Sequence, residues 1–457
     1  MRATIRTLPT LLAAAALALP AATVEAQEAL PAHAVAQFGA PPPIPDGPLP
    51  EDLEDALDAV VANSLNQSRW APDEPFALEQ VAASGDPRLA WTLTDMMRFS
   101  WRTDFRAEVA ATAAALLGIE FETAQQWHQL TDALIAWDAP DYPGYLEDKR
   151  AIYTNYVPGW DALMVEGDID WPRVSWGGVR IDARPPFETD RGCDCIPAVD
   201  APEVETAAEA TWLDDDDVVF GIVLGGEARA YPRRIMEIRE MVNDTLGGRD
   251  LGIPYCTLCG AAQAYLTDEV PDGVERPILR TSGLLIRSNK VMYDVVTQSV
   301  FDTFTGEAVT GPLHEQGVRL RQASVVTTEW GAWKAAHPDT TVLVESLALG
   351  RDFDLRNTRD ANGPIFPVGD VDPRLPIQED VVGVVTPEGR PIAFRRSAAA
   401  AALAQGGEVA LEGVRLVEEG GGLRAVAEGG TDLGSHQAFW FAWSQFHPET
   451  ALWPADG

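Results

Sequence analysis

Cys256 and Cys259 are the residues whose type and spacing point most directly to chemistry. They form a C-x-x-C motif inside LGIPYCTLCGAAQ, residues 251–263, directly after a short apolar run. Two thiols at this spacing can bind one metal ion, or they can close a small disulfide ring that is readily reduced. In an exported protein the same pair can instead serve as a structural disulfide. The motif therefore predicts a metal site or a redox dithiol, with a structural staple as the competing interpretation.

Cys193 and Cys195 lie upstream in RGCDCIP and complete the set of four cysteines. A C-x-C pair has only one residue between its thiols, and disulfide geometry makes it difficult for such a pair to close on itself. We therefore expect each thiol to face a metal ion or the Cys256/Cys259 pair. A closed four-thiolate site favours zinc, whereas two or three thiolates favour copper(I). Two cross-linking disulfides are an equally weighted alternative.

The elements that must position these cysteines are predicted strands. Residues 251–255 form the strand that delivers Cys256, and residues 278–282 and 290–295 form two further strands. From residue 169 to residue 457, β-branched runs and Gly/Pro turns dominate. This pattern predicts a larger, mainly antiparallel β-rich domain, and with the helices that precede it the fold class is α+β.

A partial internal repeat lies within this β-rich part. GIVLGGEARAYPRR at residues 221–234 is similar to GVVTPEGRPIAFRR at residues 383–396, and WKAAHPDT at 333–340 is similar to WSQFHPET at 443–450. Two matches in the same order predict that one module was duplicated, with copies at about 218–345 and 380–453. The second copy has nothing that corresponds to the cysteine motif.

The N-terminal half divides into three predicted segments. Residues 1–26 have the charged start, short apolar run and small-residue cleavage site of a signal peptide, and residues 27–50 form a Pro/Ala-rich extended linker. Residues 51–168 show helical spacing and resemble a HEAT-type helical repeat, a surface through which a protein partner could be recruited. The apolar run is too short to span a membrane, so we expect an exported protein, periplasmic or extracellular.

Charge and length limit the classes of partner and the number of domains. The 457-residue chain has a formal net charge of −36, from 34 Lys and Arg against 70 Asp and Glu. Such an acidic surface repels nucleic acid and anionic lipid, so neither is an expected partner, and no later segment has the apolar length of a membrane span. Two or more domains are expected at this length.

A series of motifs resembles a known family. WLDDDDVVFGIVLGGEARAYP, VNDTLGG, YCTLCG, SGLL, NKVMYD and FTGEAVTGPL occur in order, followed by RDFDLRN, IFPVGDVDPRLP and the terminal FWFAW. In these motifs the chain closely resembles domain-of-unknown-function family 3179, a group of uncharacterised exported bacterial proteins with a C-x-x-C motif. The resemblance covers most of residues 171–457 and implies no established activity.

Three positions depart from the pattern of this family. Thr257 stands where relatives carry Pro after the first cysteine, and Arg239 stands before Glu240 where relatives carry His. Cys193-x-Cys195 replaces a plain Gly-Ile-Pro turn. If the family binds a metal through that His, this chain lacks one ligand, and the extra cysteine pair is the candidate replacement.

Further polar candidates come from the same motifs and from one loop. His314 follows GPL in a loop that can face the site, whereas His337 and His447 precede prolines and are predicted to end helices. The family-like motifs contribute six more polar side chains, which are Asn243, Asp244, Ser282, Asn289, Tyr293 and Asp294.

The leading hypothesis is an exported protein with a cysteine-based site that binds a metal, copper or zinc, or exchanges disulfides. Cys256 and Cys259 are then the primary ligands or dithiol, and Cys193 and Cys195 assist. If the site is a redox site, the more exposed thiolate attacks and the other resolves the mixed disulfide. The alternative is a non-catalytic binding or scaffold protein with structural disulfides, so the sequence leaves open whether the chain is an enzyme.

Overall fold

The fold is α+β, as the sequence predicts: helices dominate up to residue 156, and strands dominate from residue 174 onward. The predicted signal peptide and the RDFDLRN segment at residues 351–357 lie outside the described residues. The computed structural model describes residues 30–65, 74–122, 125–188, 192–345 and 363–454.

Seven α-helices are described before the first strand. They are α1 (Ala32–Phe38), α2 (Glu51–Leu65), α3 (Glu74–Ser84), α4 (Ala90–Phe99), α5 (Thr103–Leu117), α6 (Gln126–Ala136) and α7 (Tyr145–Tyr156). Short 3-10 turns cover Pro87–Leu89, Pro158–Trp160 and Trp171–Arg173. α5 ends at Leu117 and is capped by Gly118, whose left-handed φ of 65° is typical of a glycine that ends a helix. None of the helices in the described ranges is long and apolar enough to cross a membrane.

The core of these helices continues into the strands. Trp91 and Trp160 are buried and fill the core between the helices, whereas Trp101 is 73% exposed. The same core includes Leu284 and Val291 of the β-rich part. A continuous apolar core therefore crosses the predicted domain boundary at residue 168, and the boundary itself stays a prediction.

The segment predicted to be an extended linker is packed where the structure describes it. α1 lies within it, and His33 Nε2 is 3.1 Å from Asp370 Oδ2. The carbonyl of Gly39 accepts a hydrogen bond from the indole of Trp137, and Leu49 is buried. The structure differs here from the sequence interpretation, because proline-rich composition describes local stiffness and does not report the tertiary contacts that hold the chain down.

Twenty-two strands are described, with five further helices among them. The helices are α8 (Arg233–Arg239), α9 (Gly311–Glu315), α10 (Trp330–Ala336), α11 (Arg396–Ala404) and α12 (Trp440–Phe446). The strands are β1 (Val174–Trp176), β2 (Val199–Asp200), β3 (Glu203–Thr206), β4 (Val218–Leu224), β5 (Glu227–Pro232), β6 (Met241–Leu246), β7 (Arg249–Cys256), β8 (Ala261–Ala262), β9 (Ala264–Leu266), β10 (Leu279–Ile286), β11 (Asn289–Asp294), β12 (Val300–Asp302), β13 (Arg321–Ala323), β14 (Val326–Glu329), β15 (Thr341–Val344), β16 (Asp380–Val385), β17 (Pro391–Arg395), β18 (Ala410–Leu411), β19 (Val414–Glu419), β20 (Gly422–Ala427), β21 (His436–Phe439) and β22 (Ala451–Trp453).

These strands form five mainly antiparallel sheets within the described residues. Their orders are β1-β10-β11-β12, β13-β9-β7-β6-β2 with β8 on β7, β14-β4-β5-β15-β3, β21-β16-β17-β22 and β18-β19-β20. Parallel pairing joins β2 to β6, β5 to β15 and β17 to β22. The cysteine motif begins at the last residue of β7, a strand that lies in the second sheet between β6 and β9.

Two of the sheets share one arrangement. The order β14-β4-β5-β15 corresponds strand by strand to β21-β16-β17-β22, and in both the last pair is parallel. A tryptophan of the following helix covers a strand glycine in each, Trp333 over Gly221 and Trp443 over Gly383. Both indoles donate to a threonine hydroxyl at 3.0 and 2.9 Å. These elements are the segments that the sequence repeat aligns.

The tryptophan-covered glycines give a stability prediction. A Cβ added at Gly383 would lie 2.2 Å from the Trp443 ring, so Gly383→Ala must displace a buried indole. We expect the free energy of unfolding in urea to fall by roughly 1–3 kcal/mol, the range for overpacking a core. Gly429→Ala is the matched control, because no atom lies within 4 Å of its added Cβ. Equal urea midpoints for the two variants would contradict the packing argument.

Candidate functional site

The end of β7 and the turn after it hold the two thiols. β7 contains the predicted strand at residues 251–255, and all six residues from 251 to 256 are buried. The N–H of Cys259 donates to the carbonyl of Cys256 at 3.2 Å and closes the turn. Gly260 follows with φ of +62°, and its Cα faces the ring of Phe439 so closely that a Cβ would lie 3.0 Å from a ring carbon. Glycine is required there by both conformation and space.

The two sulfurs lie in direct contact. Cys256 Sγ and Cys259 Sγ are 2.9 Å apart and share a hydrogen bond, and the two sulfurs are not joined in a disulfide. They are 2% and 0% exposed. The carbonyl of Ser288 and Oδ1 of Asn289 lie 3.6 and 3.4 Å from Cys259 Sγ. Both of these atoms are acceptors, and the Ser288 carbonyl also lies 3.9 Å from Cys256 Sγ.

The acceptors come from the hairpin between β10 and β11. Arg287 and Ser288 form its two-residue turn, with φ of 45° and 67°. Such turns normally place Gly, Asn or Asp at these positions, because other side chains are strained in the left-handed region. The strained turn brings the Ser288 carbonyl and Asn289 to the thiols, and the backbone N–H of the next residue, Lys290, meets Cys256.

A buried ion pair borders the thiols. Lys290 Nζ lies 3.2 Å from Oε2 of Glu240 and donates to the carbonyls of Glu240 and Tyr255 at 2.6 and 3.4 Å. The hydroxyl of Thr257 donates to Oε1 of Glu240 at 3.1 Å. Glu240 caps α8 with a left-handed φ of 50°. Both charges are buried, and each has hydrogen bonds besides the ion pair, as a buried pair requires.

The pKa of Cys256 lies below its ordinary value. Burial raises the pKa of this thiol, and the carboxylate of Glu240 also raises it. The hydrogen bond from Cys259, the backbone N–H of Lys290 and the Lys290 charge act in the opposite direction and prevail. Cys256 therefore forms its thiolate, the nucleophilic form, at a lower pH than an ordinary cysteine does.

A cavity of about 250 Å³ opens beside Cys256. Glu240, Thr257 and Lys290 supply its polar wall, and Leu258 and Phe366 are among its apolar lining. Cys256 lines this cavity, whereas Cys259 is not among the lining residues. A small molecule that entered it would therefore meet Cys256 first, together with one positive and one negative side chain.

Cys193 and Cys195 form a disulfide with each other. The expectation that Cys193 and Cys195 each face another partner is therefore wrong, because the chain holds their two Cα atoms 5.1 Å apart, within the usual range for disulfides. The backbone bends at Asp194, between the two cysteines, and this bend gives a shorter separation than the roughly 6.6 Å of an extended chain. A four-thiolate site is excluded in this state, since the two cysteine pairs are separate.

Asp182, Cys193 and Cys195 are the one group among the described residues that brings three metal-ligating atoms within 4.8 Å of one another. Asp182 is committed to other contacts, because its Oδ2 accepts from Arg184 at 2.6 Å and from the N–H of Ala198 at 2.9 Å. With both sulfurs in a disulfide, the group has no thiolate to offer a metal ion.

Two of the other predicted residues lie at the dithiol. Asn289 contacts Cys259, and its buried Nδ2 has no partner among the described residues. Ser282 lines the cavity, but its hydroxyl donates to the carbonyl of Val291 and is not free to act as a nucleophile.

The remaining predicted residues serve the framework. The side-chain amide of Asn243 joins β6 to β10, because it donates a hydrogen bond to the carbonyl of Leu279 and accepts one from the N–H of Leu279. Asp244 accepts from Arg229 and Tyr231. The other three form separate contacts and do not line the cavity: Tyr293 donates to the carbonyl of Asp182, Asp294 accepts from Thr297 and the N–H of Ile278, and His314 contacts Ala308 and Asp168.

Sequence reasoning missed Glu240 and Lys290 as site residues. Arg239, the residue that departs from the family pattern, instead pairs with Glu345 at 2.7 Å. A signal for Lys290 was present, because it is one of only three lysines in the chain and stands next to Val291 and Met292 in a predicted strand. A lysine in that setting indicates a buried charge that needs a partner.

Comparison with protein families gives one match. Residues 193–429 match the family described as "Protein of unknown function (DUF3179)". No curated protein and no solved structure matches. The matched range contains both cysteine pairs, Glu240 and Lys290.

The thiolate argument predicts the pH dependence of alkylation. In the wild-type protein, the rate of Cys256 modification by iodoacetamide, followed by peptide mass spectrometry, should reach half its maximum below the ordinary thiol pKa of about 8.5. Cys259→Ala removes the thiol donor and should move this midpoint to higher pH. Cys193→Ser/Cys195→Ser, which leaves the dithiol intact, should not move it. A midpoint that is unchanged in Cys259→Ala would disprove the role of the sulfur contact.

The buried ion pair predicts a stability pattern. Lys290→Met leaves the Glu240 carboxylate buried without its cation and should lower the free energy of unfolding by about 3–5 kcal/mol. Lys290→Met/Glu240→Gln removes both charges and should recover most of that loss. Urea denaturation measures both variants, and a double variant no more stable than the single one would show that the pairing is not what stabilises this region.

Proposed function

Because the chain belongs to the DUF3179 family, whose description assigns no activity, we propose a function from the site geometry: Cys256 and Cys259 are a thiol–disulfide exchange site. The observation that carries the proposal is the 2.9 Å contact between two reduced sulfurs. A disulfide bond of about 2.05 Å needs only a small further approach of these atoms. The dithiol and disulfide forms can therefore interchange with little movement of the chain.

The two cysteines have different roles in this proposal. Cys256 lines the cavity and has the lowered pKa, so its thiolate attacks one sulfur of a substrate disulfide, and the other substrate sulfur leaves and takes up a proton. Cys259 then loses its proton and attacks Cys256, which releases the second substrate thiol. One dithiol and one disulfide give one disulfide and two thiols, a transfer of two electrons and two protons.

Copper or zinc at Cys256 and Cys259 is the less supported function. Two thiolates on one tetrahedral zinc ion, with Zn–S bonds of about 2.3 Å, stand roughly 3.8 Å apart. The observed 2.9 Å contact is closer to a disulfide than to a pair of ligands. The group of Asp182, Cys193 and Cys195 supports metal binding only after its disulfide is reduced.

A second proposal concerns the evolution of the β-rich part by duplication. We propose that the modules at about 218–345 and 380–453 are copies of one ancestor, which the matching sheet orders and the two tryptophan–glycine contacts support. The dithiol then belongs to the first copy alone.

Export to an oxidising compartment is also proposed, and the Cys193–Cys195 disulfide supports it. The HEAT-like character of the helices and a protein partner for them stay predictions.

Redox titration tests the exchange site. In glutathione buffers of graded potential, the wild-type protein should form a Cys256–Cys259 disulfide with a single two-electron midpoint, read by mass spectrometry after thiol alkylation. Cys256→Ser should abolish it, and Ser282→Ala, a cavity-lining variant that keeps both thiols, should retain it. Metal analysis of the same anaerobic samples should give no stoichiometric metal. Two thiols that stay reduced at every potential, or one bound metal ion lost in Cys256→Ser, would overturn the proposal.

A further inference from the structure

We propose that the sheet β21-β16-β17-β22 borders a second binding site, a cavity of about 680 Å³ that takes a small aromatic compound through a carbonyl or carboxylate oxygen. We call this space the His436 cavity. No described residue lines both the His436 cavity and the cavity beside Cys256. The site is therefore independent of the thiol exchange proposed above, and either proposal can fail without the other.

His436 holds a buried N–H donor without an acceptor. The side-chain nitrogen of Gln322 donates to the carbonyl of Gly434 at 2.8 Å, which fixes the orientation of this amide. The same nitrogen lies 2.9 Å from Nδ1 of His436, so Nδ1 accepts and Nε2 carries the proton. Burial lowers the pKa of His436 to about 3, so the ring is neutral at pH 7. His436 is 2% exposed, and its Nε2 has no hydrogen-bond partner among the described residues.

This N–H needs an acceptor that the described residues do not supply. A buried donor without an acceptor destabilises a fold, because it loses its hydrogen bonds to water and gains none in return. Gln322 accounts for Nδ1 of His436 and leaves Nε2 unused. Because His436 lines the cavity, an oxygen of a bound molecule can supply the missing acceptor from that side.

The equivalent position in the matching sheet is occupied by valine. Gly221 and Gly383 are the two tryptophan-covered glycines, and the residues paired with them across the sheet are Val326 and His436, respectively. Val326 is 2% exposed, as buried as His436. An apolar side chain therefore satisfies the packing that the two sheets share, and this packing does not explain the histidine.

The chain itself covers the equivalent face of the sheet β14-β4-β5-β15-β3. The turn between β19 and β20 lies against Trp333, where a Cβ added at Gly420 would be 2.8 Å from a ring carbon. Glu419 enters the same turn, and its Oε1 lies 3.7 Å from Nε2 of His337. One turn thus supplies both a cover for the indole and a carboxylate oxygen for the histidine.

The corresponding face at β16 is a cavity. The residues that correspond to Gly221, Val326, Trp333 and His337 all line it, and they are Gly383, His436, Trp443 and His447. The histidine lies on the indole alike in both sheets, with ring centroids 4.2 and 4.3 Å apart. A ligand in the His436 cavity therefore takes the place of the β19–β20 turn, and the group that corresponds to the Glu419 carboxylate is an oxygen acceptor.

The apolar part of the wall suits a planar ring. Phe304 and Phe446 line the cavity and stack with centroids 4.8 Å apart and planes within 7° of each other. Phe446 is only half-buried. Aromatic side chains bind another ring by offset stacking or by edge contacts, so this wall favours an aromatic ligand over a chain-like one.

The three charged residues of the lining are already in ion pairs. The pairs are Arg319–Glu307 at 3.1 Å, Arg321–Glu269 at 2.6 Å and Asp432–Arg424 at 3.4 Å. The lining thus offers a ligand no unpaired charge of either sign. A neutral carbonyl and a carboxylate share the oxygen that His436 requires, and binding measurements distinguish them.

Equilibrium dialysis at pH 7 tests the site with three probes of similar shape: 2-naphthoate, 2-naphthamide and 2-methylnaphthalene. The wild-type protein should bind at least one oxygen-bearing probe about tenfold or more tightly than 2-methylnaphthalene, because only an oxygen can accept from the Nε2–H. The order of the two oxygen-bearing probes shows whether the site prefers a carboxylate or a neutral carbonyl. Equal binding of all three probes, the result if water alone satisfies the N–H, or binding of none would overturn the proposal.

His436→Asn is the matched variant for this assay. Its side-chain oxygen can accept from Gln322 in place of Nδ1, whereas the Nε2–H is removed. The variant should lose the preference for the oxygen-bearing probes, and His314→Gln, a histidine change outside the cavity, should keep it. A preference that survives in folded His436→Asn would contradict the role given to His436.

Histidine NMR tests the same contact without a substitution. In protein labelled with ¹⁵N-histidine, His436 is assigned through its contacts with the rings of Phe304 and Trp443, whose centroids lie 5.5 and 5.6 Å away. Its Nε2 should carry the proton at pH 7. The resonance of this proton should move further downfield with an oxygen-bearing probe than with 2-methylnaphthalene, which acts through its ring current alone. Equal shifts with all three probes would show that no ligand oxygen meets His436.

Discussion

The contact between the Lys290 ammonium and Glu240 is the interaction on which the site depends. Lys290 Nζ reaches the carboxylate and the carbonyl of Glu240 and the carbonyl of Tyr255, so one buried cation joins α8, β7 and β11. A buried charge must be fully paired, and this requirement fixes how the three elements meet. Cys256 lies at their junction, where the same cation lowers its pKa.

The β10–β11 hairpin connects the core of the helices to this junction. Trp160 donates to the carbonyl of Ser282, and Leu284 and Val291 of the hairpin belong to the helical core. The strained turn at Arg287 and Ser288 is held in place by this packing, and it brings acceptors to Cys259. The helical part thus helps to fix the hairpin beside the thiols, because an interior packed at crystal-like density allows its elements little relative movement.

The tertiary structure changes which cysteines pair with one another. The backbone between Cys193 and Cys195 lets these two cysteines form a disulfide with each other, although the geometry of typical disulfides makes a C-x-C pair difficult to close. The result removes the four-thiolate site and leaves two pairs with different access to solvent. Glu240 and Lys290 were missed for a related reason: one follows a helix and the other begins a strand fifty residues later, and only the packed fold brings them together.

The sequence by itself determined the fold class, the family, the strand that carries Cys256 and the motif that marks the site, because each follows from local periodicity, spacing or ordered motifs. Only the tertiary structure decided which sulfurs pair, which thiol faces a cavity and which charges surround it. Those properties depend on burial and on contacts between residues distant in the chain. They arise when elements pack, since desolvation and neighbouring charges exist only in the folded state.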